Sequence, residues 1–190
     1  MRQIALKLLI LGDGGCGKTT LLHRYIKREF IDTTTMTIGV EFFTKQKVLD
    51  STNVSMILWD ITGQERFRHM VPSYMRGASG ALLLFDVTNM VSFVNIGKWM
   101  SIVNKFYENL PVVLIAAKCD LDEFSIVSDL YAKKTKEKFK MADFIKTSSK
   151  TGQNIDLSFE TLADSATISI SSDEIEITAL GKTLSYFPDN

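Results

Sequence analysis

Short apolar runs alternate with segments whose apolar residues have helical spacing, and this alternation predicts strands connected by helices. The runs have the length of β-strands, and the fourth and fifth are almost uninterrupted, which is typical of strands covered on both faces. Residues 50–53 separate the second run from the third and predict a hairpin turn. The predicted strands are 4–11, 40–49, 54–60, 81–87, 112–117 and 144–147.

The segments between these runs predict the helices. They lie at residues 19–30, at 92–107, from Ser125 onward and at 154–166, with Ser92 and Ser125 as candidate N-caps. Together the elements predict an α/β fold with a six-stranded, mostly parallel sheet, one antiparallel edge strand and about five helices on both faces.

The pattern fails near the end of the chain. Residues 167–190 are rich in serine and threonine, carry acidic residues and show no clear period. A chain of 190 residues has the length of one domain. We therefore predict a single domain over residues 1–166, followed by a flexible tail over residues 167–190.

Composition and charge narrow the class of protein. Hydrophobic residues make up 45% of the chain and charged residues 23%, as in ordinary globular proteins. The 22 basic residues balance the 22 acidic ones, so no charge excess indicates nucleic acid as a partner. No apolar run has transmembrane length, and both cysteines lie in predicted loops, which favours a reducing environment. We predict a cytoplasmic protein.

Residues 12–19 read Gly-Asp-Gly-Gly-Cys-Gly-Lys-Thr and fill every fixed position of the phosphate-binding pattern G-x-x-x-x-G-K-[ST]. This loop lies between a predicted strand and a predicted helix, where backbone N–H groups and a helix N-terminus can hold a polyphosphate. Lys18 would then contact the β- and γ-phosphates, and the Thr19 hydroxyl would bind Mg²⁺. The alternative, an ordinary glycine turn, is disfavoured by the number of fixed positions matched.

Polar residues also follow three other predicted strands, at the sheet edge where ligands bind in open α/β folds. Asp60 is placed to hold Mg²⁺ through water, Gly63 to offer its N–H to a γ-phosphate, and Gln64 to orient the attacking water. Asp120 can accept paired hydrogen bonds that guanine offers and adenine does not. Backbone N–H groups at residues 148–150 would close the base pocket.

Five spaced motifs in a fixed order give the chain a family resemblance. After the phosphate loop come IGVEF at 38–42, WD and GQERF at 59–67, SYMRGA at 73–78 and FDVT at 85–88. With these, residues 6–162 resemble a Ras-superfamily small GTPase, most closely of the Rab branch. The resemblance implies a P-loop NTPase small G-domain that binds GTP or GDP with Mg²⁺, hydrolyses GTP slowly and acts as a switch in vesicle traffic.

At matching positions the resemblance also implies roles for single residues. Thr37 would complete the Mg²⁺ coordination begun by Thr19 and Asp60, Phe30 would pack edge-on against guanine, and Gln64 would be catalytic. The implied nucleotide-binding residues are Gly12, Asp13, Gly14, Gly15, Cys16, Gly17, Lys18, Thr19, Thr20, Phe30, Thr37, Gly63, Lys118, Asp120, Leu121, Ser148, Ser149 and Lys150.

The resemblance further implies protein partners, namely exchange factors, GTPase-activating proteins and effectors. Effectors would contact Phe42, Trp59 and Tyr74, together with Ile38. Packing within the sheet is an equally good interpretation of the three aromatic side chains.

The sequence departs from the family pattern at several positions. Ala117 replaces the asparagine of the base-recognition motif, which predicts weaker binding with guanine preference retained through Asp120. Thr62 replaces an alanine beside the γ-phosphate and is expected to obstruct closure of its loop and slow hydrolysis. Ser149 replaces another alanine, which is a mild change if the backbone N–H of this residue makes the contact to the base. No cysteine follows Cys119, where Rab proteins carry prenylated cysteines; either the sequence is part of a longer chain or the protein is not lipid-anchored. We expect these residues alone to give no stable membrane anchor.

Three functions fit these residues. The first is a guanine-nucleotide switch, cytoplasmic or held at endomembranes by partners or by a further C-terminal segment. The second is a nucleotide-binding interaction module with little or no GTP hydrolysis, which Ala117 and Thr62 together motivate. The third, an ATP-using P-loop enzyme, is disfavoured by Asp120.

Overall fold

The sheet predicted from the sequence is confirmed. The computed structural model describes residues 2–31, 37–49 and 52–184, the stretch 172–184 by its backbone alone. The strands in these residues are β1 (Arg2–Gly12), β2 (Val40–Leu49), β3 (Thr52–Ile61), β4 (Gly80–Asp86), β5 (Val112–Ala117) and β6 (Asp143–Thr147). They form one sheet in the order β2-β3-β1-β4-β5-β6. Only β2 pairs antiparallel, with β3, and the predicted turn between these two strands lies partly outside the described residues.

Six α-helices connect or follow the strands within the described residues. They are α1 (Lys18–Lys27), α2 (Val71–Met75), α3 (Met90–Val94), α4 (Ile96–Val103), α5 (Asp129–Lys138) and α6 (Ile155–Leu184). Short 3-10 helices occupy Glu65–Met70 and Cys119–Phe124. The single helix predicted over 92–107 is instead the pair α3 and α4, which meet at Asn95. Both predicted N-caps are wrong, since Asn89 caps α3 and Ser128 caps α5 with side-chain oxygens.

Helices cover both faces of the sheet, and two apolar cores lie between the layers. On one face, Leu22 of α1 and Phe159 of α6 belong to the core, and on the other face Trp99 of α4 belongs to it. Every residue of β4 and β5 is buried, which explains their uninterrupted apolar runs. Because β3, β1, β4, β5 and β6 pair in parallel, their carboxyl ends lie at one edge of the sheet, where the loops that follow them meet.

The last helix is longer than the sequence indicated. It continues to Leu184, so the predicted end at residue 166 is wrong. The hydroxyls of Ser165, Thr167 and Ser171 donate to carbonyl oxygens one turn earlier, so these polar groups have partners within the helix. The boundary at residue 166 stays a prediction, and the final residues, 185–190, lie outside the described part. In that part, no helix combines the length and apolar character needed to cross a bilayer.

Candidate functional site

A cavity of about 600 Å³ opens at the edge where the parallel strands end. Thr62 and Ala117 line it together with most of the predicted site residues, which are Gly14, Gly15, Gly17, Lys18, Thr19, Thr20, Phe30, Thr37, Gly63, Gln64, Lys118, Asp120, Leu121, Ser149 and Lys150. The remaining predicted residues lie behind this wall and contact residues that form it. These are Gly12, Asp13, Cys16, Asp60 and Ser148.

The phosphate loop holds a buried lysine at one end of the cavity. Lys18 begins α1, and its ammonium donates hydrogen bonds of 2.9 Å to the carbonyl oxygens of Gly12 and Asp13. Only 6% of Lys18 is exposed. Gly15 and Gly17 have φ of 78° and 96°, a backbone conformation that favours glycine and gives the tight curl of the loop. A cation and a helix N-terminus together make this end of the cavity attractive to anions.

Gly63 packs directly against the phosphate loop. The Gly14 N–H donates to the Gly63 carbonyl oxygen at 3.0 Å. A Cβ atom on Gly63 would lie 2.3 Å from the Gly12 carbonyl oxygen, 2.3 Å from the Asp13 carbonyl carbon and 2.4 Å from Lys18 Nζ. Such distances are shorter than any van der Waals contact, so this approach of the two loops requires glycine.

Three oxygen-bearing side chains meet beside the phosphate loop, as predicted for a metal site. Thr19 Oγ1 lies 2.7 Å from Thr37 Oγ1 and 2.5 Å from Asp60 Oδ2. Asp60 is fully buried, and its Oδ1 has no hydrogen-bond partner among the described residues. Burial raises the pKa of the Asp60 carboxyl, while the Thr19 hydroxyl bond and Lys18 act in the opposite direction. Hard oxygen donors and a buried carboxylate with an orphaned oxygen fit Mg²⁺.

The base-recognition loop occupies the other end of the cavity. Asp120 Oδ1 accepts a hydrogen bond from the Ser148 hydroxyl at 2.5 Å. Because Ser148 directly follows β6, a side chain of the loop after β6 holds this carboxylate in place. Lys118 Nζ donates to Asp86 Oδ2 at 2.6 Å. Phe30 remains 41% exposed at the cavity wall. The arrangement leaves Asp120 anchored through one oxygen, with acceptor capacity remaining for a base.

A hydroxyl with no partner in the described part of the chain lies on the strand next to Ala117. Ala117 of β5 lies in register with Thr147 of β6, and both residues are buried. Thr147 Oγ1 is buried and has no hydrogen-bond partner in the described structure. An unpaired buried hydroxyl costs roughly 1–3 kcal/mol. The position where alanine replaces asparagine therefore lies next to an unpaired buried hydroxyl, beside the base-recognition loop.

Gln64 and Thr62 both contact the loop that contains Thr37. Gln64 Nε2 donates to the Thr37 carbonyl oxygen at 3.1 Å, and the Thr62 hydroxyl donates to the same oxygen at 2.9 Å. Gln64 Oε1 accepts from Arg66 Nε at 2.9 Å. Thr62 is 1% exposed, and its hydroxyl joins the two segments. The expected obstruction of loop closure by Thr62 stays a prediction.

Comparisons with known proteins place this chain in a family. The family model described as "Ras family" matches residues 7–168. The chain belongs to the Ras family. It is 41% identical to "Ras-related protein Rab-27B" of Rattus norvegicus over 171 residues, which cover 84% of this chain and 78% of the relative. It is 39% identical to "Ras-related protein Rab-11B" of Dictyostelium discoideum over 160 residues, with 82% and 71% covered. The predicted class, a small GTPase resembling Rab proteins, is confirmed.

A buried hydrogen-bond network behind the phosphate loop of this Ras-family chain was missed by the sequence prediction. Asp13 Oδ1 accepts from Trp99 Nε1 at 2.9 Å and from Arg68 Nη2 at 3.0 Å, and its Oδ2 accepts from Asn95 Nδ2 at 2.6 Å. The Asp13 and Arg68 side chains are only 14% and 16% exposed. We call these four residues the Asp13 network. It ties the phosphate loop to α4 and to the 3-10 helix after β3.

The residues predicted to meet effectors form a partly exposed surface. Phe42 and Trp59 pack edge to face with ring centroids 4.5 Å apart, and Tyr74 lies 6.0 Å from Trp59. Phe42 is 56% exposed and Ile38 74%, while Trp59 and Tyr74 are half-buried. Lys7 Nζ lies 3.7 Å from the centre of the Trp59 ring, a cation–π contact. The structure thus combines the two interpretations, since the aromatic side chains pack on each other and remain accessible.

Both cysteines lie close to the site and are buried. Cys16 belongs to the phosphate loop, and burial raises the pKa of its thiol; burial also raises the pKa of the Cys119 thiol. Both side chains are therefore protonated thiols at neutral pH, which makes them poor nucleophiles.

Proposed function

We propose that this chain is a Rab-type switch that binds GTP and GDP, hydrolyses GTP slowly and recruits effectors in the GTP state, in vesicle traffic. The observation that carries the proposal is the convergence on one cavity of Lys18, Gly63, the oxygens of Thr19 and Thr37, and Asp120. The first four suit a polyphosphate, and Asp120 suits guanine. Membership of the Ras family supports the same conclusion.

The phosphate loop would bind and orient the nucleotide. Lys18 is held by two carbonyl oxygens, so its ammonium is positioned before a phosphate arrives and little side-chain entropy is lost on binding. Thr19, Thr37 and Asp60 would hold Mg²⁺, which supplies charge neutralisation to the phosphates when bound. Gly63 would place its backbone beside the γ-phosphate, because no side chain separates it from the phosphate loop.

Slow intrinsic hydrolysis follows from what the neighbouring arginines contact. Arg66 bonds to Gln64 Oε1, and Arg68 bonds to Asp13 and to Glu65. Neither guanidinium is placed to stabilise charge on a transferring phosphoryl group. An activating protein would then supply the arginine.

Partners and location are part of the same proposal. The surface formed by Ile38, Phe42, Trp59 and Tyr74 adjoins Thr37 and the loop after β3, so an effector bound there would sense the nucleotide state. We place the protein in the cytoplasm, at endomembranes through its partners.

Equilibrium binding of fluorescent GDP tests the nucleotide site. Lys18→Ala should weaken GDP binding about 100-fold, because it removes a charged hydrogen-bond donor from a buried anion site. Lys27→Ala, at the exposed end of the same helix, is the matched control and should bind as the wild type does. Unlabelled ATP should fail to compete. Competition by ATP equal to that by GDP would show that Asp120 does not select guanine.

Single-turnover GTP hydrolysis tests the switch itself. Gln64→Leu should lower the rate about tenfold or more, since it removes the group proposed to orient the attacking water. A wild-type rate already as low as that of the variant would overturn the catalytic assignment. The chain would then be a nucleotide-binding interaction module.

Restoring the missing amide should strengthen nucleotide binding. Ala117→Asn places a donor and acceptor beside the unpaired Thr147 hydroxyl, so we expect GDP to bind about tenfold more tightly. Thr147→Val in the Ala117→Asn background removes the new partner and should reverse part of the gain. The measurement is GDP affinity in the wild type and in these two variants. An unchanged affinity in Ala117→Asn would show that this position does not limit binding.

A further inference from the structure

Three hydrogen bonds join the segment containing Thr37 and Gly39 to the segment that follows β3. The Thr62 N–H donates to the Gly39 carbonyl oxygen at 2.9 Å. The Thr62 hydroxyl and the Gln64 side-chain amide donate to the Thr37 carbonyl oxygen, at 2.9 Å and 3.1 Å. The two segments that line the γ-phosphate end of the cavity are therefore held to each other as well as facing the nucleotide site.

The Thr62 hydroxyl lies at the centre of this connection. It donates to the Thr37 carbonyl and accepts from the Gln64 backbone N–H at 3.4 Å. Its residue is 1% exposed, so water does not compete for either bond. The backbone bond to Gly39 can form with any residue except proline at position 62, whereas the two hydroxyl bonds require threonine or serine.

These bonds hold the groups that Gln64 would use on a water molecule against protein atoms, with one hydrogen on Nε2 and one lone pair on Oε1 left over. Its backbone N–H bonds to Thr62, its Nε2 to Thr37 and its Oε1 to Arg66. A carbonyl oxygen has two lone pairs, and both hydrogen bonds to the Thr37 oxygen use them. Gln64 is thus held facing a protein carbonyl, and that carbonyl has no further acceptor capacity.

We propose that Thr62 is a positioning residue that acts through Gln64 and restrains hydrolysis. Thr37, Thr62 and Gln64 form what we call the switch latch: the Thr62 hydroxyl keeps the Gln64 backbone and amide against the Thr37 carbonyl. Gln64 must leave this carbonyl before it can orient water. Removing the hydroxyl lowers the cost of that movement and raises the hydrolysis rate. The inference rests on the proposed function because the restrained step is GTP hydrolysis.

Hydrogen exchange tests the latch without reference to turnover. Thr62→Val removes the hydroxyl with almost no change in shape, and Thr62→Ser keeps it. On the protein without added nucleotide and with GDP, amides in peptides covering residues 37–41 and 61–66 should exchange about fivefold faster in Thr62→Val. Thr62→Ser should exchange as the wild type does. Equal exchange in Thr62→Val and wild type would overturn the latch.

Single-turnover kinetics test its effect on chemistry. With GTP and Mg²⁺, Thr62→Val should hydrolyse GTP about fivefold faster than wild type, whereas Thr62→Ser should keep the wild-type rate. In a Gln64→Leu background, Thr62→Val should have no effect, because the residue through which it acts is absent. An equal increase in both backgrounds would show that Thr62 acts by another route and would overturn the assignment.

The two proposals fail in different ways. If the wild type binds no guanine nucleotide, the proposed switch is wrong, and hydrogen exchange alone decides whether the latch exists. If wild type and Gln64→Leu differ in rate but Thr62→Val does not alter the wild-type rate, the switch stands and the restraint by Thr62 is wrong.

Discussion

Gly63→Ala should reduce the single-turnover rate of GTP hydrolysis at least about 100-fold. The new Cβ would lie 2.3 Å from backbone atoms of Gly12 and Asp13, and backbone cannot move aside as a flexible side chain can. Residues 62–64 must therefore shift outward, which carries Gln64 away from its position. A displacement of about 1 Å at a catalytic group is enough for a loss of this size.

The affinity for GDP should change far less, because Lys18 and the rest of the phosphate loop stay in place. Gly97→Ala is a matched control: a Cβ there would meet only Phe139 Cζ, at 3.7 Å. This position lies within α4, far along the chain from the loops of the cavity, and alanine favours helix over glycine. Hydrolysis by Gly63→Ala within about threefold of wild type would contradict the requirement for glycine.

Asp13→Ala should lower the free energy of unfolding by about 3 kcal/mol. The substitution leaves the largely buried Arg68 guanidinium with only the exposed carboxylate of Glu65, at 3.6 Å, as an ionic partner among the described residues. It also leaves Trp99 and Asn95 without their acceptor. Urea unfolding at a fixed GDP concentration measures the change, since bound nucleotide itself stabilises the fold. The loss should exceed that of any single exposed ion pair.

Two variants sharpen this measurement. Asp156→Ala breaks the ion pair between Asp156, 49% exposed, and Arg28, 60% exposed. It should lower the free energy of unfolding by about 0.5 kcal/mol or less. Arg68→Met should partly relieve Asp13→Ala, with a coupling of at least about 1 kcal/mol in a double-mutant cycle. A purely additive cycle would show that the Asp13–Arg68 contact carries no energy.

The phosphate loop and the buried strands could be predicted because their signals are local. Residues 12–19 fill a pattern whose glycines and lysine are needed wherever a backbone curls around phosphate. An uninterrupted apolar run of strand length indicates a strand that is covered on both faces, and every residue of β4 and β5 is buried. Asp60 and Asp120 could be proposed from the sequence because Asp60 lies at the end of one predicted strand and Asp120 follows another.

The Asp13 network could not be predicted because its partners are distant in sequence. Arg68, Asn95 and Trp99 lie 55, 82 and 86 positions from Asp13, and no spacing links them. The contacts of Thr62 depend on where two loops meet in the fold. The sequence showed that threonine replaces the alanine of the family pattern, but it could not show which group the hydroxyl bonds. Serine and threonine concealed the continuation of α6, since their bonds to the preceding turn become visible only in the helix.

The indole of Trp99 gives the molecule an internal optical reporter. The protein has two tryptophans, and only Trp99 donates its N–H to the phosphate-loop carboxylate of Asp13. The Arg68 guanidinium lies 5.2 Å from the Trp99 ring, so charge of both signs borders this fluorophore. Any rearrangement of the phosphate loop or of the segment after β3 changes the electric field at the ring. With Trp59 replaced by phenylalanine, we expect nucleotide exchange to change the native emission of Trp99, so that no dye has to be attached.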